Sequence, residues 1–458
     1  ISWNSPHAAV DTQEVDTTVE SPRTTNPPFI AAASSSSSSS SQHDLPETPT
    51  IDTEPTTTIA VPLTTATTRE IEKDNAIPDC KNSDDDINNQ TGNSAEGHAT
   101  SSLIDGCTAT EDHDDGDLDE DYNKGFAYYY GEGAAQDYPR AFEYFQKAAK
   151  KGHLDAYNKL GYMYDHGQGI ELDHTKAVEW YQLAADNGYA KSQYNLGISY
   201  QYGYGVAHNC VKAAEWYQKA AEQGYPDAQN RLGDLYQCGH GVDQDYYKAL
   251  EWYQSGARLG DARAQCNLGV LYFHGRGVTQ DIHEAAEWYK KAANQGEPAA
   301  QYNLACLYNE GNGVTLDYTK AAEYYEKSAS QGYGISQYNL GLMYQEGRGV
   351  VQDYLKAAEW YEKAASQEHA KAQSNLGFLY ENGYGVAQDY IKAVELYKKA
   401  ANDGEDTAQY NLGTLYRNGY GVTQNFSKAA EWYQQAAWQG CVKAQHELGV
   451  MYYSGEGV

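Results

Sequence analysis

Four sets of residues in this 458-residue chain have the types and spacing to suggest chemistry. Seven cysteines, Cys80, Cys107, Cys210, Cys238, Cys266, Cys306 and Cys441, could pair or hold a metal. His166, His208, His240 and His274 stand beside glycine loops. Ten Gly-x-Gly loops could cradle phosphate, and the acidic string Glu111–Glu120 could bind calcium.

Each of these chemistries fails on spacing. Cys210, Cys238, Cys266, Cys306 and Cys441 occupy five different positions of a 36-residue period, whereas a disulfide framework in a repeat protein recurs once per unit. Their total is odd, so free thiols in a reducing compartment are the expectation. CxxC, HExxH and zinc-type Cys/His spacings are absent. The Gly-x-Gly loops follow helical patterns rather than strands, and no Lys-Ser/Thr comes after them, so they are turns. The histidines lack an acid or nucleophile in a repeated geometry. In the acidic string, with Gly116 as the loop glycine, His113 takes a ligand position and Tyr122 replaces the bidentate Glu, so a solvated charge run is the better account. No catalytic, cofactor or metal site is expected.

The loops are informative as a ruler. They begin at Gly131, Gly167, Gly203, Gly239, Gly275, Gly311, Gly347, Gly383, Gly419 and Gly455, always 36 residues apart. A fixed period of this size marks stacked repeats. In the unit Ala228–Gly260, Ala228, Leu232, Leu235 and Tyr236 form one stripe of a first helix. Gly233 beside that stripe lets a neighbouring helix approach closely. Gly239 ends the helix in the left-handed conformation of a C-terminal cap. Asp245 then stands at the N-cap of a second helix, a position that is Asp or Asn in every unit. The second helix is clearest in Ala213, Trp216, Tyr217, Ala220 and Ala221, and a closing glycine follows it in every unit except one, where Glu368 stands. One such hairpin is too small to bury a core alone, so stability must come from stacking. The expected fold is all-α: an α/α superhelical solenoid of nine to ten 36-residue helical hairpins, nine complete and a lone tenth first helix.

Two columns of the first helix face neither core stripe cleanly. Asn195, Asn267, Asn303, Asn339, Asn375 and Asn411 lie three residues after the opening Ala, about 60° from the buried stripe. Such amides could bond the backbone of an extended peptide, since each offers donor and acceptor. The plainer role is to tie each helix to an adjacent loop. One position earlier, Tyr194, Tyr302, Tyr338 and Tyr410 are expected to point further outward, alternating with Asn158, Asn230, Cys266, Ser374 and His446. A variable, partly aromatic, exposed column suits protein recognition. Ordinary surface tyrosine is the alternative.

The unit pattern A-x3-LG-x2-Y-x2-G-x-GV…D-x3-A-x2-WY-x-KAA-x-x-G resembles the Sel-1-like repeat, a relative of the tetratricopeptide repeat, over about residues 120–458. Departures are Ala305 for the first-helix Gly, Leu396 for the Trp, Glu368 for the closing Gly, and a degenerate first helix around Tyr122–Tyr130. The resemblance implies a non-enzymatic adaptor or scaffold that binds proteins or extended segments of them. Similar proteins assist endoplasmic-reticulum-associated degradation, activate chitin synthase or join signalling complexes. A regulatory subunit of such a membrane enzyme or degradation complex, or a repeat array fused to a catalytic domain outside this sequence, are the other expectations.

Residues 1–119 differ from the rest. They contain no Tyr and carry 23 acidic against 4 basic residues, within a net charge of −31 for the chain. With so little apolar surface this Ser/Thr/Pro-rich segment is expected to be a disordered tail. Ser5-Pro6, Ser21-Pro22, Thr48-Pro49 and the Ser83 that precedes three Asp have the form of kinase sites. Such acidity disfavours nucleic acid and anionic lipid. No run of about 18 apolar residues could span a bilayer. A cytoplasmic location is expected, with an endoplasmic-reticulum-associated one as the alternative. The sequence starts without Met and stops straight after the tenth glycine pair, so a longer protein is expected.

Overall fold

A computed structural model describes residues 115–133 and 135–457 of the chain, with side chains from Asp119 onward. The expected tail, its kinase motifs, Cys80 and Cys107 lie outside the described residues. Among those described, nineteen helices and no strands occur. The first helices of the hairpins, here A helices, are α1 (Asp115–Tyr130), α3 (Leu154–His166), α5 (Ala190–Tyr202), α7 (Pro226–Cys238) and α9 (Ala262–His274). They continue with α11 (Pro298–Glu310), α13 (Gly334–Glu346), α15 (Ala370–Asn382), α17 (Asp406–Asn418) and α19 (Val442–Ser454). Their B partners are α2 (Tyr138–Lys150), α4 (His174–Asp186), α6 (Cys210–Glu222), α8 (Tyr246–Arg258) and α10 (Ile282–Asn294). The remaining B helices are α12 (Tyr318–Ser330), α14 (Tyr354–Ser366), α16 (Tyr390–Asn402) and α18 (Phe426–Trp438). Nine hairpins and one A helix result, as the period requires.

The first helix begins upstream of the degenerate segment the pattern suggested. Asp115–Glu120, the second half of the acidic string, are its opening turns. That half of the string is therefore part of the packed structure: the Asp119 carboxylate lies 3.3 Å from the His153 ring and Asp121 lies 2.8 Å from Lys151.

Local chemistry accounts for the helix ends. Gly203 caps α5 at φ +79 with its N–H on the Ser199 carbonyl, and the same left-handed glycine recurs after the other A helices from α3 onward. Asp173 caps α4 by accepting the Lys176 N–H at 3.0 Å. Its equivalents in the other B helices do the same. The B-to-A turns close on a left-handed glycine too, and among the described residues Glu368, at φ +63, is the one non-glycine in that conformation.

Packing repeats with the period. Each B helix packs on its own A helix and on the next one. The second aromatic of the Trp-Tyr pair is the core residue: Tyr181, Tyr217, Tyr253, Tyr289, Tyr361, Tyr397 and Tyr433 are fully buried. The Trp stays half-buried at the rim, with the Lys219, Lys291 and Lys363 ammonium groups 3.6–3.7 Å from the Trp216, Trp288 and Trp360 ring centres. The A-helix glycine makes room for the tyrosine. A Cβ on Gly233 would stand 2.5 Å from Tyr253 Cε1. No described helix is long and apolar enough to cross a membrane.

Candidate functional site

The B helices turn a charged, exposed face outward, as at Val211, Lys212, Glu215 and Glu222. The A helices are almost wholly enclosed. What they leave half-exposed is a stripe at i, i+4, i+7 and i+11, represented in α7 by Asp227, Arg231, Asp234 and Cys238. The equivalent residues of successive A helices form a surface whose chemistry varies while the core columns repeat.

In α5 the stripe is Lys191, Asn195, Ile198 and Tyr202, and in α9 Arg263, Asn267 and His274, with Val270 buried between them. Around α7 it is densely charged. Arg231 hydrogen-bonds the Tyr194 hydroxyl. Asp234 accepts from Tyr253 Oη at 2.7 Å and from Asn267 Nδ2 at 3.1 Å. Burial pushes the Asp234 carboxyl above the usual range, while Arg231 and the Tyr253 hydroxyl pull it back. Through α11 and α13 the stripe narrows, because Asn303, Cys306, Asn339 and Leu342 are buried. Along α15 it reopens with Lys371, Asn375 and Phe378, and along α17 with the uncharged Thr407, Asn411 and Thr414.

The Asn column lies on this stripe, as its angle to the core suggested, but its amides tie helix to helix rather than helix to loop. Asn195 donates to Asn158 Oδ1 of the preceding A helix at 2.9 Å, and Asn267 does so to Asn230 at 3.0 Å. Asn375 donates to the Tyr361 hydroxyl at 3.2 Å, and Asn411 bonds that of Tyr397. Asn303 lies 3.9 Å from Cys266 Sγ, and Asn339 bonds its own helix at the Ile335 carbonyl.

The outward placement expected for the Tyr column is overturned. Tyr302 and Tyr338 are buried, at 1% and 8% exposure, and Tyr194 and Tyr410 are half-buried. Each ring packs against the core tyrosine of its own hairpin: Tyr194 on Tyr217, Tyr302 on Tyr325, Tyr338 on Tyr361 and Tyr410 on Tyr433, with centroids 5.7–6.0 Å apart. The residue capping the next A helix closes the other side, as Tyr225 does for Tyr194 and Tyr333 for Tyr302. A wheel drawn for one hairpin omits that following helix, and it is the following helix that covers the column.

A third column went unread in the sequence. The residue directly after the opening Ala is Gln in eight consecutive A helices, and from Gln193 to Gln445 each Nε2 donates to the carbonyl eight residues earlier, on the preceding B helix. Their invariance at the period was the available signal. In five hairpins a second Gln after the B helix donates to the first one's Oε1: Gln223, Gln295, Gln331, Gln367 and Gln439, at 2.7–2.9 Å. Where that second position is Leu259 or Asp403, the Oε1 atoms of Gln229 and Gln373 are left buried without a partner. Leu259→Gln should therefore supply the missing donor and stabilise the array by about 1 kcal/mol. A higher urea midpoint at unchanged m-value is the expected reading, and a lower midpoint would show that the Leu259 contact outweighs the hydrogen bond.

The glycine loops also do more than turn the chain. From the second pair onward the second glycine seats on the preceding hairpin: a Cβ on Gly205 would stand 2.1 Å from the His174 carbonyl oxygen, and one on Gly349 2.1 Å from that of Tyr318. The residue between the glycines continues the contact, with Tyr384 stacked on Tyr354 at 5.2 Å and Tyr420 on Tyr390 at 5.1 Å.

Comparison with known proteins agrees with this architecture. A family model described as Sel1 repeat matches residues 116–153, 154–189, 190–225, 226–261, 262–297, 298–333, 334–369, 370–405, 406–441 and 442–458. A protective antigen of uropathogenic Escherichia coli strains, described as displaying an SLR fold, is 40% identical with a TM-score of 0.63, covering 75% of this chain and 74% of its own. A Sel1 repeat protein from Oxalobacter formigenes is 33% identical with a TM-score of 0.53, covering 66% of this chain and 88% of its own. No curated protein matched the sequence. Ten consecutive matches in register with the observed hairpins show that the chain belongs to the Sel1 repeat family.

Proposed function

We propose that the protein is a non-enzymatic scaffold that holds one or more proteins, or extended segments of them, along its A-helix stripe. The observation that carries this reading is the contrast between columns. Core Tyr, Ala and Gly positions repeat from unit to unit, whereas the half-exposed positions run from the opposite charges of Asp227, Arg231 and Asp234 on α7 to Lys371, Asn375 and Phe378 on α15 and the uncharged Thr407, Asn411 and Thr414 on α17. A surface whose chemistry changes along its length distinguishes one partner segment from another. Within it the half-buried Asn195, Asn267, Asn375 and Asn411 have amide valences to offer a backbone, beside the bonds already made to their neighbours. Asn303, Asn339, Tyr302 and Tyr338 support that surface from below. Its fit to a reducing compartment rests on Cys266 and Cys441, which carry free thiols.

Photocrosslinking in the source cells tests the reading. A photoreactive residue at Lys191 or Lys371, on the stripe, should capture a discrete protein that the same probe at the outward Glu215 or Glu359 does not. Arg231→Glu should reduce that capture about tenfold or more. Equal capture from both faces, or catalytic turnover by the array, would refute the proposal.

A further inference from the structure

The turn between α14 and α15 departs from its counterparts in two respects. The eight other B-to-A turns close on glycines at φ +83 to +95, whereas this one holds Glu368 at φ +63. A side chain in the left-handed region costs about 1–2 kcal/mol. The inter-hairpin bond from Gln373 to the Ala365 carbonyl is the longest of its series, 3.4 Å against 3.0–3.2 Å for the other seven. The seam between the seventh and eighth hairpins thus combines a strained turn with a lengthened cross-link.

The residue that fastens this seam is titratable. His369 caps α15, its Nδ1 accepting the Ala372 N–H at 3.2 Å, and its ring stacks on Tyr338 of α13 with centroids 4.7 Å apart. At equivalent caps Asp261 and Glu405 use carboxylates. A protonated Nδ1 cannot accept, so the cap and the charged imidazolium exclude one another. The imidazolium would also sit at the positive end of the α15 dipole. Lys371 on α15 adds repulsion, and α13 faces the ring with the Tyr338 phenol rather than a carboxylate.

We propose that the α14–α15 turn is a proton-operated hinge, in which protonation of His369 releases the cap of α15 and uncouples the eighth hairpin from the seventh. Burial first, and Lys371 second, push the imidazole from its ordinary value near 6.5 down to about 4 in the packed state. Opening the turn restores the ordinary value. The open state therefore binds more protons between those limits, and the seam's stability, intact above about pH 6.5, is lost progressively as pH falls toward 4.

Amide hydrogen exchange on the whole chain, at pH 7 and pH 5, reads this directly. Relative to the turn at 331–337, which cancels the intrinsic pH effect, opening at 367–373 should rise about twentyfold. His369→Asn keeps a capping oxygen that does not titrate, and should abolish the rise. Glu368→Gly should lower opening at both pH values while leaving their ratio unchanged. An imidazole NMR titration of the unaltered protein, expected near 4, serves independently of any variant. Parallel exchange in both turns, a rise that persists in His369→Asn, or a midpoint near 6.5 would each overturn the hinge.

Discussion

Replacing Tyr253 with alanine should cost the array about 3–5 kcal/mol and split its unfolding into two transitions. The ring is fully buried and lies on Gly233, so its loss leaves a cavity between α7 and α8 that neither rigid helix can close. The hydroxyl holds the half-buried Asp234 at 2.7 Å, so truncation also removes a hydrogen bond from a carboxylate that burial already disfavours. Tyr253→Phe separates the two contributions. It keeps the ring, as Phe145 does at the same position of the first hairpin, where it is fully buried. It forfeits the hydroxyl's contacts with Asp234 at 2.7 Å and Gln237 Oε1 at 3.3 Å, about 1.5–3 kcal/mol for a charged acceptor. Because stability in a solenoid is a sum over neighbours, the loss falls on the fourth hairpin and its two interfaces. Urea unfolding followed by far-UV dichroism should show a weakened segment melting first. A single cooperative transition, with Ala no costlier than Phe, would contradict this account of the core.

The second large effect is expected at the glycine loops. Gly349 and Gly332 both have positive φ, +67 and +92, yet their surroundings differ. Nothing lies within 4 Å of a Cβ placed on Gly332, whereas one on Gly349 would stand 2.1 Å from the Tyr318 carbonyl oxygen of the preceding hairpin. Gly332→Ala should therefore cost only the left-handed backbone penalty, about 1–2 kcal/mol. Gly349→Ala must in addition push two hairpins apart, and should cost at least about 3 kcal/mol. The comparison holds backbone conformation roughly constant and varies only the inter-hairpin contact. Equal losses measured by denaturant midpoint would mean that the loop is a turn and nothing more.

Both effects rest on features visible in the sequence to different degrees. The 36-residue period, the Gly and Asp caps and the close helix approach at Gly233 were legible, because each is set by residues within one hairpin; that the ring filling the Gly233 site is Tyr253 of the same hairpin was not. Hydrogen bonds that close a helix end reach only three or four residues, and an αL turn is specified by one glycine. The seating of Gly205 and Gly349 on the preceding hairpin was not legible, since a glycine needed for its φ and a glycine needed for close approach read alike. The glutamine ladder was likewise present as an invariant column, yet its carbonyl acceptors lie across an interface that the pattern of one unit does not draw.

The sequence by itself determined an all-α array, the caps that end its helices from the second hairpin onward, and the Ala, Leu and Tyr stripes of each core, while the Trp expected beside the core Tyr lies at the rim. Tertiary structure alone decided which of the remaining columns meet solvent. Tyr302 and Tyr338 lie off the core stripe of their own helix and are buried nonetheless, because the following hairpin supplies a second wall. Exposure in a stacked array depends on three helices at once, whereas helical periodicity reports the environment of one.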